Sequence, residues 1–271
     1  MNKILYKIMS YILSKVLSES LLSLYPVFVK NINLPIETQM WSRFFTYTII
    51  SFFFIDKSIF SLFTSFYGIA LMLITILHVY VSYQGFLLLE SGISYALFYT
   101  YPLFIYIGSY YSITPYFIFP IIGTWLMYYD NKKINTVGVA MILLAAITEA
   151  MIYFIVRKLK TKNQWNTVFI SYVLGAIVLS RYATTTTTAP VSLGINAIIG
   201  LVGYLLRFIS MAQLSPTTYS FLSYIGIVMA FIYGIIFNAE QITIPKIAAT
   251  LFILIPSIHQ ILTEKNRAGE K

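Results

Sequence analysis

Five ionisable side chains stand inside long apolar runs, and they mark where this chain can do chemistry. Lys15 and Glu19 interrupt the run Met9–Val29, His78 is central to Tyr67–Leu89, Glu149 lies in Asn135–Val156, and Arg207 lies in Leu193–Ala212. A charge at bilayer depth costs about 2.5–3.5 kcal/mol on insertion scales, so each needs a partner or a task. Lys15 precedes Glu19 by four residues, which puts both on one helix face at ion-pair distance. Two roles stay open for them: a structural pair, or a carboxylate that takes a cationic group or proton while Lys15 contacts an anion. Glu149 has no local partner in sequence, and burial favours a neutral carboxyl group, so it is the better proton carrier. His78 is either a pH-sensitive cavity residue or a hydrogen-bonding link between helices. Arg207 either meets an anionic group or Glu149, or it snorkels toward the membrane surface. Tyr95, Tyr99, Tyr219 and Tyr224 offer hydroxyls to a solute and rings to a cation, with packing as the competing role.

The elements that position these groups follow from composition. The chain has 271 residues, 59% hydrophobic and 10% charged, with a mean hydropathy of +0.80. Soluble domains run at about 25% charged, and disorder needs more charge still, so the class is an all-α integral membrane protein. Helices of about 20 residues fit ten segments. These are 9–29, 39–55, 67–89, 93–109, 113–129, 135–156, 165–180, 193–212, 217–237 and 244–262. Pro115 and Pro120 predict a kink in the fifth. Arg43, Lys30 and Lys246 fall near segment ends and read as interfacial anchors. Gly194, Gly200 and Gly203 favour close helix contact in the eighth segment.

The connections are too short for a soluble catalytic domain, and no HExxH, GxSxG or nucleotide-binding P-loop is present. Both aspartates, Asp56 and Asp130, fall in loops. With no cysteine and two histidines, neither a thiolate nor a histidine-rich metal site is available, and no cofactor is expected. The basic excess, 18 Lys and Arg against 9 Asp and Glu, reads as a topology signal and not as nucleic-acid binding. Arg157, Lys158, Lys160 and Lys162 share a side with both termini if ten helices cross. Positive charge marks that side as cytoplasmic, in a plasma or inner membrane sooner than an organelle membrane.

Laid against itself, the chain divides into 1–133 and 134–271. Ser91 pairs with Ser215 and Tyr95 with Tyr219, a shift of 124 positions; Val29-Lys30 pairs with Val156-Arg157. Because five is odd, two such units insert upside down relative to each other. Inverted repeats of this kind build alternating-access transporters, with solute bound near mid-membrane at the repeat interface.

Several short stretches also carry a family resemblance. Tyr25-Pro26-Val27-Phe28-Val29-Lys30 resembles the N-P-V-F-I-K close of the first helix in the drug/metabolite transporter superfamily. Ala145–Ala150 with Val156-Arg157-Lys158 is similar to the opening of that family's second repeat, Tyr101-Pro102 to a proline of its fourth helix, and Glu240–Thr243 to its E-x-L-T element. The ordered set best suits the EamA-type branch. Departures are Leu22 and Glu149 where the family has tryptophan, Tyr111 for a glutamate and Gly226 for a proline. The resemblance implies ten helices in two inverted repeats and solute transport. Mixed buried charges suit a zwitterion such as an amino acid. A phosphorylated-sugar or nucleotide-sugar exchanger would want more cavity Lys or Arg, and a membrane enzyme or a non-transporting scaffold is the reading from another class. A small-molecule substrate, the lipid bilayer and a monomeric or homodimeric state complete the expectations.

Overall fold

The computed structural model describes residues 3–110, 118–129, 135–183, 191–239 and scattered positions from 241 to 259. Among the described residues there is no strand. The helices are α1 (Lys3–Leu22), α2 (Tyr25–Asn31), α3 (Ile36–Phe52), α4 (Ile59–Thr64), α5 (Phe66–Leu88), α6 (Ser91–Phe98) and α7 (Tyr101–Tyr110). There follow α8 (Ile118–Tyr129), α9 (Thr136–Leu159), α10 (Gln164–Val178), α11 (Val191–Gln213), α12 (Pro216–Ser223) and α13 (Ile225–Asn238). Five stretches are long and apolar enough to cross a membrane: Tyr6–Asn31, Phe66–Leu88, Thr136–Leu159, Val191–Gln213 and Pro216–Asn238.

The usual water-facing distribution is inverted. Leu73, Ile177 and Ile198 are each more than half exposed, whereas Lys15, Glu19 and Glu149 are fully buried. That pattern fits helices in hydrocarbon whose polar groups must find partners inside the protein. Some helix starts are capped by side chains: Asn135 Oδ1 accepts from the Val137 and Gly138 amides, and Ser215 Oγ from the Thr218 amide. Each satisfies amides that have no intrahelical acceptor.

Three spans expected to be continuous are broken. Pro26 has no N–H, so the Leu22 carbonyl loses its donor four residues on, and α1 gives way to α2. The Tyr95 hydroxyl of α6 donates to that orphaned carbonyl. Pro102 likewise cannot reach the Phe98 carbonyl, and the chain turns at Tyr99 and Thr100 between α6 and α7. The third break, at Tyr224, has no proline in its turn. There the Tyr224 and Ile227 amides bond three residues back, to Phe221 and Tyr224, at 3.2 and 3.1 Å.

Small residues let these breaks meet. Ser23, in the α1–α2 turn, donates to the Gly226 carbonyl at 2.9 Å. A Cβ on Gly226 would lie 1.8 Å from the Tyr99 hydroxyl, so glycine is required there for the approach of α13 to α6. Gly203 lets Leu22 approach α11, and Ser18 donates to its carbonyl at 2.8 Å. A Cβ on Gly194 would meet nothing within 4 Å, so the close contact expected of it belongs to Gly200 and Gly203. The short helix α4 was not anticipated from sequence. Pro115, the loop 130–133 and the threonine run 184–188 lie outside the described residues, while Pro120 sits in the first described turn of α8.

Candidate functional site

The buried charges come together as one network. Arg207 of α11 donates from Nη1 to Glu149 Oε1 of α9 at 2.8 Å, and from Nη2 to both Glu19 oxygens of α1 at 3.1 and 3.0 Å. Lys15 Nζ donates to Glu19 Oε1 and lies 3.4 Å from the Tyr101 hydroxyl. Its ammonium stands 3.5 Å from the centroid of the Tyr219 ring, a cation–π contact away from water. Two carboxylates therefore face two cations. Removing one member of a buried pair strands its partner and costs about 3–5 kcal/mol.

His78 of α5 closes the far side. Its Nδ1 is 3.0 Å from Thr148 Oγ1 and 3.2 Å from the Ala145 carbonyl, which orients the ring. Its Nε2 lies 3.3 Å from Glu149 Oε2 and 3.4 Å from the Tyr204 hydroxyl. The Glu149 approach is within ion-pair range but off the hydrogen-bond direction, because Oε2 makes no hydrogen bond.

The four tyrosines divide. Tyr99 donates to Glu19 Oε2 and so belongs to the network. Tyr219 supplies its ring to Lys15, and its hydroxyl has no partner. Tyr224 is buried at the α12–α13 turn, also with a hydroxyl unpartnered. Tyr95, read from sequence as either solute-facing or packed, has its hydroxyl committed to the Leu22 carbonyl. Glu149, read as having no local partner, has Arg207 and His78 on other helices. Arg207 is buried and paired, not snorkelling.

A third buried cation was missed. Arg43 of α3, expected as an interfacial anchor, is 3% exposed. Its guanidinium carbon lies 4.7 Å from the Tyr25 ring centroid, 4.6 Å from Tyr204, 5.5 Å from Tyr47 and Tyr172, and 5.7 Å from Tyr83. Five tyrosines spread over the sequence were the available signal, diluted among the 23 in the chain.

One end of the structure is polar. Asp56 accepts from Ser58 Oγ at 2.6 Å and Asn166 Nδ2 at 3.0 Å, and from the Ser58 amide at 2.9 Å. These bonds, the Ser58 hydroxyl first, pull its carboxyl down to about 2. At the same end, a cavity of about 500 Å³ is lined by Arg157, Lys160, Lys162 and Gln213. Arg157 Nη1 donates there to the Leu214 carbonyl at 2.8 Å. No group of three or more metal-ligating side chains occurs among the described residues.

Residues 136–258 match the profile of the EamA-like transporter family, part of the drug/metabolite transporter superfamily. The matched stretch contains Glu149 and Arg207 and supplies one side of the network. A crystal structure of a protein 12% identical to this chain aligns over 94% of it, and over 99% of its own length, with a TM-score of 0.72. At that identity the likeness shows the fold alone. No curated protein matches. Family and apolar helices together make this a multi-pass integral membrane protein of a transporter type.

Proposed function

We propose that this protein is a secondary transporter that moves a small polar metabolite, with an amino acid as the favoured class, by alternating access. In this reading ten helices form two inverted five-helix repeats, 1–133 and 134–271, with both termini cytoplasmic in the plasma or inner membrane. The observation that carries the proposal is Arg207, which bonds Glu19 of the first half and Glu149 of the second. An ion pair at that position closes the interior. Opening to either side separates α1 from α9 and α11, and charged groups of the solute then take the places the side chains give up.

The broken helices support the repeat. In each half an eight-residue helix, α6 or α12, ends at a turn before a second helix. The turns hold Tyr99 and Tyr224, which the sequence shift brings close to register. Discontinuous helices at mid-membrane, related between halves, are the usual frame of a transport site.

Proton coupling follows from Glu149. A proton on its carboxyl group weakens the bond to Arg207 and biases the equilibrium toward a conformation in which α9 and α11 no longer hold α1. A ligand or proton shifts such an equilibrium only by its differential affinity for the two states. The test is thermal unfolding of the purified chain at pH 5.5 and 7.5 with amino acids, polyamines, phosphorylated sugars and nucleotide sugars. A solute that binds the folded state raises its stability by mass action. The expected result is a pH-dependent shift with one chemical class that the Glu149→Gln variant loses. A flat response to the whole panel contradicts the proposal and favours a non-transporting scaffold.

A further inference from the structure

Charge accounting leaves one cation over. Glu19 and Glu149 are balanced by Lys15 and Arg207. Arg43 forms no ion pair with any carboxylate among the described residues, although it is as deeply buried as Arg207. Cation–π contacts offset part of its desolvation, but aromatic faces are not a counter-ion. A lone arginine at this depth marks a ligand path or a missing partner.

The hydrogen-bond inventory around Arg43 points the same way. Arg43 Nη2 donates to the Tyr172 hydroxyl at 3.0 Å, while its Nε and the Tyr83 hydroxyl have no partner. Tyr25 and Tyr47 share one hydrogen bond between their hydroxyls, so one of the two protons is left over. The Arg43 Nε–H is thus a buried donor without an acceptor, and the leftover hydroxyl proton of the Tyr25–Tyr47 pair and that of Tyr83 are free to donate as well. A group with acceptors only and a negative charge would complete it, and the planar guanidinium fork matches an oxyanion.

The cage is also next to the charge network. The Tyr204 ring centroid lies 4.6 Å from the Arg43 guanidinium carbon and 5.4 Å from that of Arg207, and its hydroxyl faces His78. One tyrosine therefore forms a wall of both.

We propose that Arg43 and its tyrosine cage form the subsite for the anionic end, a carboxylate or phosphate, of the transported solute. The proposal rests on the transport reading above and gives that solute an orientation. Its oxyanion meets Arg43 and displaces the Tyr172 hydroxyl, while any cationic group meets the Glu19 and Glu149 side of Tyr204.

The test uses the purified full-length chain at constant ionic strength. Probes are leucine, glutamine and phenylalanine, each against its own amide, and glycerol 3-phosphate against glycerol. The amide keeps the amino group and side chain and lacks only the carboxylate. The expected result is that at least one acid or the phosphate stabilises wild type, and that its uncharged counterpart does not. Arg43→Gln then weakens that ligand about tenfold or more, the scale of a lost charge-assisted bond. Arg43→Lys retains part of the response. Tyr172→Phe, which keeps the ring and frees the guanidinium, responds at least as strongly as wild type and serves if Arg43→Gln does not fold. An Arg43→Gln protein with a lowered baseline but an unchanged ligand shift overturns the subsite, as does a Tyr172→Phe protein that loses its response. Amides that bind as well as the acids overturn it too, and leave the transport reading standing. No response to any oxyanion overturns the subsite. Glycerol or the amides then report separately whether the chain binds solutes at all.

Discussion

Arg207 is the residue on which the interior turns, because its two terminal nitrogens hold carboxylates from both halves of the chain. Replacing it with glutamine strands Glu149 in the interior, at a cost of about 3–5 kcal/mol, and leaves Glu19 to Lys15 and Tyr99. The expected outcome is a large drop in the unfolding midpoint, partly restored in the Arg207→Gln/Glu149→Gln double variant, where one stranded charge is removed. A double variant no more stable than Arg207→Gln would show that Glu149 is not neutralised by Arg207. Glu149→Gln alone is expected to insert and fold while transport loses its pH dependence; unchanged pH dependence in vesicle uptake would remove Glu149 as the proton carrier. Lys15, Glu19, Glu149 and Arg207 were legible because a charge in an apolar run stands out. Their partnerships were not, since Glu19 and Arg207 are separated by 188 positions. Arg43 was misread for a related reason: its cage comes from α2, α3, α5, α10 and α11, and no spacing within one segment reports that.

At the scale of the element, the breaks do the positioning. Tyr95 satisfies the carbonyl that Pro26 orphans, so Tyr95→Phe leaves a buried acceptor unpaired at about 1–3 kcal/mol. Pro26→Ala returns a backbone N–H that can reach Leu22 as the helix continues. The double variant is therefore expected to be more stable than the two single effects would sum to, as a double-mutant cycle of unfolding midpoints measures. Strict additivity would contradict the account of the break. Helices α3, α5, α9, α10 and α11 were legible from hydropathy, with boundaries that fell within a few residues. The turns at Tyr99 and Tyr224 were not, since a break of one or two residues hardly changes an apolar run. The polar end makes a pH prediction. Asp56 has a carboxyl held below its ordinary value of 3.8, at about 2. A depressed folded value means its stabilising bonds are fully present above the ordinary value and are lost as pH falls through about 2. The difference in unfolding midpoint between wild type and Asp56→Asn should thus be constant from pH 5 to 8 and shrink only in strong acid. A difference that changes near neutrality would assign the pH response elsewhere.

For the whole molecule, the family match falls on 136–258. Inside it α12 has the same length as α6, which lies outside it, and each ends in a turn that holds a buried tyrosine, Tyr99 or Tyr224. The membrane class and the family likeness of residues 136–258 were both legible, the first from composition and the second from an ordered set of short motifs. Which groups neutralise which was settled only by packing. The central claim is that the interior opens alternately to the two sides of the membrane. The chain contains no cysteine, so single cysteines can be read without background. Ser23→Cys places one where the α1–α2 turn meets Gly226, and Lys158→Cys serves as a control beside the basic end. In oriented vesicles treated with a membrane-impermeant maleimide, Ser23→Cys is expected to react from both sides, and Lys158→Cys from the cytoplasmic side alone. A Ser23→Cys protein that reacts from one side only, or from neither, at both pH 5.5 and pH 7.5 would contradict alternating access.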